Sequence, residues 1–144
     1  MSIIVLETKD DISYEEICAL TVTVGWATDY FTSMEHFQYT LNASRHVVHL
    51  RDNGHLVGFG RIVEDGINCM FYDICIHPNY QGHHLGTLIM EHLISKIKNQ
   101  NFVSIGLFCE EDNKTVHEFY NKFGFEPVEG MELRKYMRAN WENL

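Results

Sequence analysis

The sequence predicts a mixed α/β fold: an antiparallel meander feeding a β-α-β crossover, with helices on both faces of one central sheet. Three observations carry this expectation. Asn53-Gly54 and Asp65-Gly66 separate short apolar runs, which is a strong hairpin signal. The hydrophobic period then switches from strand to helix at Leu85. Two motifs of the form Ser/Thr-x-x-Glu mark helix starts upstream.

Taken in order, Ile3 to Leu6 reads as a first strand. Ser13-x-x-Glu16 opens a helix to about Val24, with Ile17, Leu20, Thr21 and Val24 at helical spacing. Thr32-x-x-Glu35 opens a short second helix to about Leu41, after the aromatic-rich connection Gly25 to Phe31. Strands follow at His46 to Arg51, Leu56 to Val63 and Asn68 to Ile76. Leu85 to Lys98 is a helix whose apolar stripe is Leu85, Leu88, Ile89, His92, Leu93 and Ile97. Phe102 to Cys109 reads as a strand, and Thr115 to Phe123 as a helix stopped by Gly124 in a left-handed cap. Phe125 to Val128 and Met131 to Met137 are expected to pair around Glu129-Gly130.

The 144 residues suit one domain spanning the whole chain, and 45% hydrophobic with 22% charged residues is ordinary for a globular protein. Neither a signal peptide nor a membrane segment is expected, so the chain reads as cytoplasmic. Cys18, Cys69, Cys75 and Cys109 form no CxxC pair and suit free thiols in a reducing compartment. A net charge of −9 argues against a nucleic-acid partner and suits a cationic small substrate.

The chemistry concentrates between Asp73 and Thr87. A strand ends at Ile76, a polar loop His77-Pro78-Asn79-Tyr80-Gln81-Gly82-His83-His84 follows, and a helix begins at Leu85 without an acidic first turn. Such a start aims unpaired backbone N–H groups and a positive helix end at one spot, which favours an anion and above all a pyrophosphate. Gly82 and Gly86 permit close backbone approach. No Gly-Lys-Ser/Thr follows, and no Gly-x-Gly-x-x-Gly is present, so neither nucleotide fingerprint applies. An ordinary strand–helix connection with two turn glycines remains the alternative. His77, His83 and His84 lack a Cys or carboxylate at ligand spacing, so no metal is expected.

A second passage, Asn113 followed by Phe119-Tyr120-Asn121-Lys122-Phe123-Gly124-Phe125, narrows the reading. Together with Gln81-x-x-His84-x-Gly86, it resembles the GNAT superfamily of N-acetyltransferases. The first passage is similar to that family's Gln/Arg-x-x-Gly-x-Gly/Ala signature and departs from it at His84, where the family usually has glycine. The second is similar to its second acyl-CoA motif.

The resemblance implies acetyl-CoA as cosubstrate and a primary amine, of a small molecule, as acceptor. It implies that backbone groups of Ile74, Cys75 and Ile76 meet the pantetheine and that one N–H holds the developing oxyanion. Gln81, Gly82, His83, His84, Leu85, Gly86 and Thr87 would cradle the pyrophosphate. Asn113 would bond the pantetheine, and Tyr120 would protonate the leaving thiolate. The family's glutamate positions hold Met70 and Phe108 here, leaving Asp73, Glu110 or a water chain as base. Trp26, Tyr30, Phe31, Phe59, Arg61 and Tyr72 are candidates for an acceptor pocket, and core packing is the alternative for each. A homodimer is compatible with this reading. Other readings are a non-catalytic acyl-CoA-binding module, an interaction domain and a protein N-terminal or lysine acetyltransferase.

Overall fold

A computed structural model describes residues 1–130. The chain divides into two compact units, Met1–Glu110 and Glu111–Leu144.

The first unit holds five strands, β1 (Ile3–Leu6), β2 (His46–Asp52), β3 (His55–Glu64), β4 (Asn68–Ile76) and β5 (Ser104–Leu107), in sheet order β1-β2-β3-β4-β5. The first three pairings are antiparallel and β4–β5 is parallel, so the sheet is mixed as expected. Asn53 and Gly54 both adopt positive φ (49° and 84°), the conformation a two-residue hairpin requires, and join β2 to β3. The next turn is wider. The Asp65 carboxylate accepts from the Ile67 and Asn68 amides, and Gly66 alone takes positive φ.

Three helices cover this sheet: α1 (Tyr14–Thr23), α2 (Met34–Ala43) and α3 (Leu85–Ile97). Ser13 and Glu16 form the expected reciprocal capping box on α1. The second cap is a correction. Ser33, not Thr32, caps α2, because the His36 ring rather than Glu35 reaches back, its Nδ1 accepting from the Thr32 amide at 3.0 Å.

Helices α1 and α2 place Ile17, Leu20, Phe37 and Leu41 in one core with Val47, Phe59 and Cys75 of the sheet. On the opposite face, α3 presses Ile89 and Leu93 onto β3 at Gly58 and Gly60. A Cβ at Gly60 would lie 2.7 Å from both Ile74 and Ile89, so the helix can seat only on a bare backbone there. The predicted α3 stripe is buried at Leu85, Ile89, Leu93 and Ile97, together with Met90. His92 instead stands at the rim beside Glu7, which also pairs with Lys96.

The second unit contributes α4 (Lys114–Asn121), with Asn113 as its N-cap and Gly124 at φ 89° just beyond it. Residues 125–128 form no strand, contrary to expectation; the Phe125 amide folds back onto the Tyr120 carbonyl at 3.3 Å. The expected strand Met131 to Met137 lies outside the described residues.

Candidate active site

Strand β4 carries a fault in its pairing with β3. Phe59 faces Cys75 but Arg61 faces Tyr72, so the single residue Gly60 opposes both Asp73 and Ile74. This is a β-bulge, and Asp73 absorbs it with a φ of 58°. The pairing of β4 with β5 runs only from Asn68–Ser104 to Phe71–Leu107, ending just before the bulge. Among the described residues, therefore, Tyr72 to Ile76 runs on without a strand on its β5 side. The His77 amide donates to Val57 on β3 at 2.8 Å, and strand alternation turns the Ile76 amide the other way, onto that open edge.

The open edge leads into the loop before α3. Pro78–Tyr80 forms one 3₁₀ turn, whose Tyr80 hydroxyl donates to Asp52 at 2.6 Å. Asp52, at the end of β2, also accepts from the Ser2 amide, and these bonds hold its carboxyl below the usual range. The Gln81 side-chain amide donates to the Ile76 carbonyl at 3.2 Å, tying the loop to the strand end. Gly82 takes a φ of 81°. His84 is the N-cap of α3 at φ 61° and ψ 21°, and its exposed side chain caps no amide. The left-handed conformation is one that glycine adopts without strain, which gives a physical reason for the glycine in the signature that this segment resembles; a histidine occupies it here with its side chain exposed.

The first intrahelical bond of α3 runs from Leu88 N to His84 O, so the Leu85, Gly86 and Thr87 amides precede the helical ladder. No acidic residue stands in that first turn. The helix start can thus take an anion, and the open β4 edge can take an extended chain by backbone pairing.

On the α1–α2 face of the bulge, Asp73 accepts from the Tyr30 hydroxyl and from Arg61 Nε at 2.7 Å. Only 7% of the Asp73 side chain and 14% of the Arg61 side chain are exposed. Burial, then the Asp73 charge, drives the Tyr30 hydroxyl far above its usual pKa. Arg61 lies 5.2 Å from the Tyr72 ring centroid and 3.4 Å from Ser44 Oγ, while Trp26 stacks obliquely on Tyr30 at 5.1 Å. Trp26, Tyr30, Arg61 and Tyr72 are half-buried here. Phe31 and Phe59 are 3% and 1% exposed and belong to the core, so they can back such a wall but not line it.

Cys75 is buried and its thiol is pushed up to about 12, chiefly by desolvation, which keeps it protonated and non-nucleophilic. Met70 pairs with Gly106 of β5, its sulfur 3.5 Å from where a Cβ would stand, and Phe108 is exposed. No group of three His, Cys, Asp or Glu is arranged around a metal position among the described residues.

In the second unit, Asn113 Oδ1 accepts from the Val116 amide at 3.1 Å and so caps α4. Tyr120 lies two turns further on, half-buried, with edge-on ring contacts to Phe119 and Phe125 at 5.0 and 6.1 Å.

Sequence reasoning missed Ser44, Asp52 and Tyr80, whose partners are 17 and 28 residues away and leave no local signal. The αL residue Asp73 was singled out, but its bulge was not.

Comparison with known proteins identifies the family. The Acetyltransferase (GNAT) family model matches residues 11–125. An uncharacterised N-acetyltransferase, ycf52, of Pyropia yezoensis is 33% identical over 137 residues, 89% of this chain and 75% of its own. A Bacillus subtilis protein provisionally named as a ribosomal protein bS18-alanine N-acetyltransferase is 26% identical over 128 residues, covering 89% of this chain and 81% of its own. The crystal structure of a staphylococcal protein of unknown function, provisionally classed as an acetyltransferase, superposes with a TM-score of 0.73 at 32% identity. That match covers 92% of this chain and all of the other, from meticillin-resistant Staphylococcus aureus. With the bulged strand, the uncapped helix start and the family match over most of its length, the chain belongs to the GNAT family and is an acetyltransferase.

Proposed function

We propose that this acetyltransferase is a single functional domain that moves the acetyl group of acetyl-CoA directly onto a primary amine of a small molecule. The observation that carries the reading is the open β4 edge running into the uncapped start of α3, a fit for an extended pantetheine ending in a pyrophosphate. Acetyl-CoA supplies an activated thioester. Backbone groups of Ile74, Cys75 and Ile76 align it, and the Ile76 amide is the donor we assign to the carbonyl oxygen as charge develops there. Gln81, Gly82, His83, His84, Leu85, Gly86 and Thr87 surround the pyrophosphate. By its motif, Asn113 is assigned to the pantetheine through its side-chain NH₂, since its oxygen caps α4.

Direct attack by the amine is favoured over acyl transfer through Cys75, the cysteine on the assigned thioester strand, because that thiol is buried and pushed up to about 12. The leaving thiolate has a conjugate-acid pKa of about 8.5, and Tyr120 is assigned to protonate it, a phenol near ~10 being suited to that task. Asp73 already serves Arg61 and Tyr30, so we assign it to shaping the site and assign amine deprotonation to solvent. Trp26, Tyr30, Arg61 and Tyr72 form the acceptor-side wall, backed by Phe31. We place the reaction in a reducing aqueous compartment, supported by the free thiols. No helix among the described residues is long and apolar enough to cross a membrane.

The likeness to the Bacillus subtilis protein favours a second reading, in which the acceptor is the α-amine of a protein. Initial rates with a panel of small amines and with an alanine-starting peptide separate the two. Higher kcat/KM for a small amine supports the first reading, and higher kcat/KM for the peptide replaces it with the second.

A further inference from the structure

We infer that Tyr30, Asp73 and Arg61 form a positioning clamp that locks the bulge of β4 to β3 and to the α1–α2 connection at once. The inference rests on the reading of β4 as the thioester strand, and it adds residues that set that strand's shape.

The bulge has to be held. Asp73 sits at a φ of 58°, a conformation that costs a non-glycine residue free energy and persists where its surroundings over-determine it. The surroundings here are specific. One carboxylate oxygen takes the Tyr30 hydroxyl and the other takes Arg61 Nε at 2.7 Å. Arg61 pairs across the sheet with Tyr72, the residue just before the bulge, and its guanidinium lies over the Tyr72 ring. Its Nη1 reaches Ser44 at 3.4 Å, and Ser44 is fully buried at the end of α2, where its hydroxyl donates to Thr40. From behind, a Cβ at Gly60 would lie 2.7 Å from both Ile74 and Ile89, so side chains of β4 and α3 pack directly on the bare backbone that faces the bulge.

Tyr30 belongs to the segment between α1 and α2 that carries Trp26, and Asp73 lies next to Ile74 on the strand. One buried carboxylate therefore joins the wall assigned to the acceptor and the strand assigned to the thioester. Loosening it should move the two relative to each other. Misplacement by about an ångström can cost on the order of 10²-fold in rate without changing which groups are present.

The test uses Tyr30→Phe and Asp73→Asn, singly and together, in the full chain. Both keep side-chain volume, and Asp73→Asn keeps a residue tolerant of positive φ. Hydrogen exchange of the 72–77 backbone should be faster in each variant, with the rest of the sheet unchanged. The kcat for an amine acetylated by the wild type should fall by roughly 10–100-fold. Acetyl-CoA affinity should fall much less than kcat, because the pyrophosphate cradle is untouched and only the strand that aligns the pantetheine is loosened. The double variant should be no worse than the poorer single one, as groups acting as one unit are not additive. Unchanged exchange across 72–77 in folded variants, or additive losses, overturns the clamp. A wild type that binds no acetyl-CoA would overturn the proposed function instead, and the exchange comparison would still decide the clamp.

Discussion

His49 should make this protein less stable in mild acid, and the effect can be sized from its surroundings. The side chain is fully buried on β2, opposite Phe59, and no described protein group hydrogen-bonds either ring nitrogen. Desolvation first, then the Arg51 charge, lowers its pKa from 6.5 to about 4, against an opposing pull from Glu16 and Asp11. A folded pKa below the unfolded one means that the unfolded chain binds the extra proton more readily. The stability is therefore fully present above pH 6.5, and it is lost as pH falls from there toward about 4. At 1.36 kcal/mol per unit the ceiling is roughly 3 kcal/mol, of which about 2 kcal/mol should go between pH 7 and pH 5.

His49→Leu removes the titrating group and both polar atoms from an apolar site. It should be at least as stable as the wild type at pH 7, since replacing unpaired polar groups with apolar ones is neutral or better. Urea unfolding at pH 7 and pH 5 measures the difference, because the other titrating groups are common to both proteins and cancel. The stability gap should widen by about 2 kcal/mol at the lower pH. Equal pH slopes for the two proteins would refute the reasoning.

Gly60→Ala should cost roughly 1–3 kcal/mol by urea unfolding, because its Cβ would meet Ile74 and Ile89 at 2.7 Å; a neutral result would mean that α3 is not seated tightly on β3. His84→Gly should change acetyl-CoA affinity by less than about threefold, since the left-handed turn and the amides of Leu85 to Thr87 survive. A tenfold gain by calorimetry would show that the imidazole intrudes on the cradle. Tyr120→Phe should lower the single-turnover rate by ~10²–10⁴-fold with acetyl-CoA affinity nearly constant, whereas a wild-type rate across pH would remove this phenol from the mechanism.

Much of the architecture was legible because its signals are local. Ser13 and Glu16 lie three residues apart and cap each other, and Asn53-Gly54 carries its own turn geometry. The α2 start was misjudged by one residue because two hydroxyls, Thr32 and Ser33, competed, and the choice fell to the ring of His36. The bulge at Asp73 was beyond reach for a different reason. It depends on a bare Gly60 pressed against α3 and on a carboxylate shared between Tyr30 and Arg61, contacts between elements far apart in sequence. The loop and helix start from Gln81 to Thr87 could be read because its glycines and uncapped start are properties of the segment itself. The anchor from Tyr80 to Asp52 spans 28 residues and could not.

The central claim is direct transfer from acetyl-CoA to an amine, and one single-turnover experiment addresses it. Enzyme in excess over labelled acetyl-CoA is mixed with an acceptor amine, and coenzyme A, acetylated amine and acetylated protein are quantified together. Equal amounts of coenzyme A and acetylated amine, with no acetyl adduct on the protein before the amine is added, is the predicted result. An acetyl group held on the protein that passes to the amine afterwards, or bound acetyl-CoA that acetylates no amine in the panel, would contradict it.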